Sequence, residues 1–113
     1  MSDPLQGEMR GWDQVPDNHP MGDKNRMWVI VSRDAFNRSS SYVLACPITS
    51  YPPTQLDITV PATPHNPLSH QSAMLVRMIT PILKRELGPA LGRLGPKITR
   101  EVACLLRTLN EVV

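Results

Sequence analysis

Arg26-Met27-Trp28-Val29-Ile30-Val31-Ser32 and, after a polar interval, Tyr42-Val43-Leu44-Ala45-Cys46-Pro47-Ile48-Thr49-Ser50 form the stretch whose reading decides the fold. Each run is too short for a helix and rich in β-branched or bulky apolar side chains, which suits a buried strand. Arg26 stands just before the first run, and Thr49 closes the second beside Ser50. As neighbours in one sheet, the two strands bring a fixed cation and a hydroxyl to one surface. Residues 33–41 between them are polar, with room for a single helical turn.

Beyond Ser50, Pro52 and Pro53 break the chain. A third strand is predicted over 56–60, where Leu56, Ile58 and Val60 alternate with Asp57 and Thr59, so one of its faces is wet. Residues 61–70 form a proline-punctuated loop, and 72–80 read as one strand buried on most of its length. A short helical turn is expected over 84–87, then Gly88-Pro89 and a short strand near 90–94. On the N-terminal side, 1–6 read as a flexible start and 7–12 as a short first strand. Residues 13–25 are a long loop by their turn chemistry, with Pro16, Asp17, Asn18, Pro20, Gly22 and Asp23; loops of this length are often functional or mobile.

The clearest helix is the last. Gly95-Pro96 opens it, with the proline where its missing N–H costs nothing. Ile98, Val102, Leu105, Leu106, Leu109, Val112 and Val113 recur at helical spacing, with Lys97, Arg100, Glu101 and Arg107 on the other side. Five or six short strands and this helix give an α+β domain, a curled sheet or half-barrel over residues 7–113.

Composition agrees with one modest domain. The 113 residues are 41% hydrophobic but include one Phe, two Trp and two Tyr, so Leu, Val, Ile and Met must build the core. Twelve prolines against six glycines favour loops and short elements over a helical bundle. The net charge of +2 neither demands nor excludes a nucleic-acid partner. Cys46 and Cys104 are expected as buried free thiols, and a disulfide is not expected without a secretory signal. No apolar run approaches the ~20 residues that span a bilayer, so no membrane association and a cytoplasmic location are expected. His19, His65 and His70 have no clustered carboxylate or cysteine partners, so no metal or other cofactor is expected.

The middle block resembles the MazF/PemK/Kid family of toxin endoribonucleases. The family's opening Gly-Glu-hydrophobic strand is matched by Gly7-Glu8-Met9, and its arginine and Val-rich strand by Arg26 through Ser32. An Asp-Ala-Phe-Asn-Arg segment stands at 34–38, and the Pro-Ile-Thr-Ser signature is Pro47-Ile48-Thr49-Ser50. Ser72 matches a small polar position, while Leu91-Gly92-Arg93-Leu94 with Pro96 matches the closing strand and helix start. The resemblance implies an SH3-like small barrel with a C-terminal helix, usually a homodimer. It further implies metal-independent, sequence-specific cleavage of single-stranded RNA, restrained by a cognate antitoxin.

The catalytic positions carried over are Arg26 and Thr49, with His19, Ser50 and Arg77 as RNA contacts. The implied reaction is attack of a ribose 2′-OH on its own phosphate, leaving a 2′,3′-cyclic phosphate and a free 5′-OH. Arginine offers a planar fork suited to phosphate, but with an ordinary pKa above about 12 it is a poor base. Three departures stand out. The family's Arg-Pro is Arg26-Met27 here, its Gly-His-Glu group falls on His19-Pro20-Met21, and its acid-Gln pair falls on Arg77-Met78. Arg77 either alters base selection or pairs with Glu8 or Asp57 as a structural charge. Trp12 and Tyr51 are the aromatics expected to be exposed for stacking on bases. The alternative is a non-enzymatic binder, because the same fold serves the CcdB toxin, which acts on DNA gyrase; a degenerate member kept for antitoxin binding is the third reading.

Overall fold

The computed structural model describes residues 3–20, 22, 26–50 and 57–112, with backbone alone for 108–112. Seven strands follow in order: β1 (Glu8–Trp12), β2 (Met27–Ile30), β3 (Tyr42–Thr49), β4 (Ile58–Val60), β5 (Ser72–Met74), β6 (Thr80–Leu83) and β7 (Leu87–Arg93). Helix α1 (Asp34–Ser39) joins β2 to β3, and α2 (Pro96–Val112) ends the chain. Every pairing is antiparallel, in the order β4-β5-β3-β2-β1-β7 with β6 added to β3. The α+β open sheet with a C-terminal helix is the class read from the sequence. The described strands number seven rather than five or six.

β3 is the hub. Trp28, Val29 and Ile30 of β2 face Pro47, Cys46 and Ala45, so the two apolar runs are neighbours. On its other side β3 pairs with β6 over residues 42–45 and then with β5 at Ile48 and Thr49. Pro47 sits at this change of partner, where its missing N–H is not required by either strand. Its carbonyl instead accepts a hydrogen bond from Leu75 N at 2.9 Å. The switch corrects the expectation of a single strand over 72–80. The chain must leave β5, turn through a 3-10 segment at Val76–Met78 and re-enter as β6. A run of apolar residues carries no mark of that detour.

Alternation along β2 fills two cores. Val29 and Val31 point into one cluster with Met9, Cys46, Ile48, Met74 and Val102 of α2. Trp28 and Ile30 point into the other with Trp12, Val15, Val43, Ala45 and Ile82. Burial on both faces is why this strand reads as a continuous apolar run. Trp12 therefore departs from its expected exposure: it is 5% exposed, and its indole Nε1 donates to Glu86 Oε1 at 2.9 Å. Phe36 and Tyr42 are the exposed aromatics, and Tyr51 lies outside the described residues. Ile98, Leu105 and Leu106 pack on the first core, as the helical spacing predicts. Side chains beyond Arg107 lie outside the described set. Cys46 is buried, whereas Cys104 is exposed, on the flank of α2 rather than on its apolar stripe.

The polar connection is held by one buried amide. Asn37 of α1 accepts from Ser32 Oγ and donates through Nδ2 to Pro4 O and Ser32 O, both at 3.1 Å. Ser32 Oγ in turn accepts from Leu44 N at 3.0 Å. These bonds tie the chain start, α1 and β3 together behind the sheet.

Candidate active site

Antiparallel pairing makes β3 end where β2 and β5 begin, and the candidate site is built at that shared edge. Continuing the β2–β3 register by one step past Met27 sets Arg26 opposite Thr49, and β5 places Ala73 on the other side of Thr49. Period-two alternation puts Arg26 and Thr49 on the same face of the sheet. The guanidinium is anchored by Nη1, which donates to Ile48 O at 2.9 Å. Its Nε is buried and has no hydrogen-bond partner among the described residues, and no carboxylate there forms an ion pair with it. Thr49 is 7% exposed, so its hydroxyl is held firmly rather than waving in solvent.

These residues open onto a cavity of about 400 Å³. Arg26, Met27, Ile48, Thr49 and Ser50 form one wall, and Pro67, Leu68, Ser69, His70 and Ser72 form the other. Sequence reading named Arg26, Thr49 and Ser50 of the first wall, from their places at strand ends and from the family resemblance. It missed most of the second, which comes from the loop between β4 and β5, where nothing in the local pattern announces a partner. A histidine among prolines and serines was the one chemical signal there.

That loop is braced along its length. Asn66 Oδ1 accepts from Leu68 N at 3.1 Å, and its Nδ2 donates to Pro61 O at 3.1 Å and Thr63 Oγ1 at 3.2 Å. Leu68 packs on the first core. Beneath it, Arg93 N donates to His65 O at 3.0 Å, and a Cβ at Gly92 would come within 2.7 Å of Asn66 Cα and of His65 O. Only a glycine lets β7 and the loop approach so closely.

The remaining expected RNA contacts lie elsewhere, Ser50 excepted. His19 packs edge-on against Trp12 and Trp28, with ring centroids 6.1 and 5.7 Å away, and its Nε2 is 3.0 Å from Thr80 Oγ1. The same Thr80 Oγ1 is also 3.0 Å from Met78 O. It is not among the residues lining the cavity. Arg77 sits in the 3-10 turn with its Nε 4.0 Å from Asp57 Oδ1, a carboxylate 1% exposed against 52% for the arginine. Of the two carboxylates weighed as partners for Arg77, Asp57 is the one within reach; Glu8 is instead bound to Arg10 at 2.9 Å. Among the described residues no three His, Cys, Asp or Glu side chains stand together as a metal site would require.

An open antiparallel sheet backed by one helix, with an arginine and a threonine opposed at its edge, is the architecture of a small α+β domain able to meet an anion. The chain belongs to the PemK-like, MazF-like toxin family of type II toxin–antitoxin systems, whose family model matches residues 6–110. Among solved structures, it is similar to an endoribonuclease from Mycobacterial species in complex with its cognate antitoxin: 26% identity, TM-score 0.74, 97% of each chain covered. A second endoribonuclease from Mycobacterial species is 28% identical over 96% of this chain and 91% of its own, with a TM-score of 0.69. MazF from Deinococcus radiodurans shares the fold at 24% identity and a TM-score of 0.74, over 96% of this chain and 97% of that one. No curated protein matches the chain by sequence. No helix of the described chain is long and apolar enough to cross a membrane.

Proposed function

We propose that this chain is the toxin of a toxin–antitoxin pair and cleaves single-stranded RNA in the groove lined by Arg26 and Thr49. The observation that carries the reading is an arginine held by a backbone carbonyl, opposite a buried threonine, with no carboxylate to neutralise it among the described residues. Such a guanidinium is a fixed donor for charge that builds on phosphoryl oxygens, and being in place beforehand it needs no reorganisation during reaction. The groove is walled by hydroxyls and short apolar side chains, a lining suited to an extended strand rather than to a duplex.

The reaction is attack of the ribose 2′-oxygen on the adjacent phosphorus. The new 2′-O–P bond forms, the P–5′-O bond breaks, and the products carry a 2′,3′-cyclic phosphate and a 5′-OH. Arg26 steadies the phosphoryl oxygens in the crowded transition state, and Thr49 holds the phosphate or the 2′-OH by hydrogen bonding. No metal is required for this step. A cognate antitoxin laid across the groove blocks RNA entry, and the functional unit is a homodimer. The test is end-group analysis of the cut RNA. Fragments that accept a labelled phosphate at the 5′ end without prior dephosphorylation support the reading; 5′-phosphate ends contradict it.

A further inference from the structure

The proposed cleavage leaves one demand unmet by Arg26 and Thr49. A proton must leave the 2′-OH as it attacks, and another must reach the departing 5′-oxygen. A guanidinium does not give up or regain a proton at neutral pH, and a threonine hydroxyl is no base. Of the ten described residues lining the cavity, those with a charged or titratable side chain are Arg26 and His70. Among the described residues no carboxylate, cysteine, lysine or tyrosine lines the groove.

We propose that His70 is the general base of this groove, a role that rests on the cleavage reading above. Its Nδ1 lies 3.0 Å from Ser69 Oγ. In the tautomer with the proton on Nδ1, Ser69 accepts that proton's hydrogen bond, and the Nε2 lone pair is left without a protein partner among the described residues. His70 is exposed, but its backbone is not loose: Ser72 Oγ donates to His70 O at 3.2 Å. Behind it stand the Asn66 bracing, the Leu68 anchor and the close approach at Gly92. The neutral imidazole takes the 2′-OH proton as the 2′-O–P bond forms, and the 5′-oxygen takes its proton from water as the P–O bond breaks. Neither oxidant nor metal enters the balance. The loss of such a base costs about 10²–10⁴-fold in rate.

The test compares wild type, His70→Ala and Arg26→Ala under steady-state cleavage of one defined RNA across a range of pH, with and without added imidazole. For His70→Ala the expected result is a 10²–10⁴-fold fall in kcat with KM little changed and the rising limb of the pH profile gone. Free imidazole should restore part of the rate to His70→Ala and none to Arg26→Ala. Full activity in His70→Ala overturns the proposal while the cleavage reading stands. A rise in KM without imidazole rescue also overturns it and makes His70 a binding residue. Inactive wild type removes both the base and the cleavage reading.

Discussion

Removing the Arg26 side chain takes away the cation of the groove and the bond to Ile48 O together. Arg26→Ala is expected to lower the rate of RNA cleavage about 10²–10³-fold, the usual cost of losing a preorganised donor to a developing oxyanion. Arg26→Lys keeps the charge but loses the fork, so it should recover a minor part of that loss; full recovery would mean the arginine acts as a point charge alone. Initial rates on one RNA measure both. Arg26 and Thr49 were legible as neighbours from their places at the start of one strand and the end of the next, and as site candidates through the family resemblance. His19 and Arg77, the other expected RNA contacts, lie outside the cavity lining, one beside two tryptophans and the other beside Asp57. Those contacts join residues far apart in the chain, and no local spacing encodes them.

At the level of elements, the loop between β4 and β5 matters most, since it supplies one wall of the groove. Gly92 of β7 is its seat. Gly92→Ala drives a Cβ into backbone atoms at 2.7 Å, which no side-chain rotation relieves. It should destabilise the fold by about 1–3 kcal/mol, as overpacking does, and shift the loop enough to slow cleavage. Chemical denaturation gives the first quantity and rates at saturating RNA the second; unchanged values for both would show that β7 does not position the wall. The strands 27–30 and 42–49 and the start of α2 were readable because continuous burial, helical spacing and Gly-Pro at a helix start are local signals. The split of 72–80 was not. It follows from β3 exchanging one partner for another at Pro47, a consequence of how the sheet curls.

On the scale of the whole molecule, two properties can be forecast. Burial pushes the Cys46 thiol from 9.0 up to about 12. Above pH 9 the unfolded chain ionises this thiol while the folded chain keeps it neutral, so ionisation favours unfolding. The stabilising contribution is fully present below pH 9 and is lost as pH rises toward 12, at about 1.4 kcal/mol per pH unit. The stability of wild type should therefore fall more steeply than that of Cys46→Ala between about pH 9 and about pH 12, the two converging or crossing; parallel curves would deny the burial effect. The second concerns assembly. Among the described strands β4 and β7 stand at the two ends of the sheet order, and Leu91 on β7 is 51% exposed. Edges of this kind are normally covered, and sedimentation should report twice the 12.6 kDa chain mass. A stable monomer at micromolar concentration would remove the homodimer from the account.

The central claim, that the edge groove is a metal-independent ribonuclease site, is tested most directly by incubating antitoxin-free protein with a long single-stranded RNA in excess EDTA. Arg26→Ala serves as the control, and the cut sites are mapped by their 5′-OH ends. The account predicts cuts gathered at one short sequence motif with wild type and cutting slowed about 10²–10³-fold with the variant. Intact RNA with the folded wild-type protein would contradict it and return the chain to the class of non-enzymatic binders of this fold.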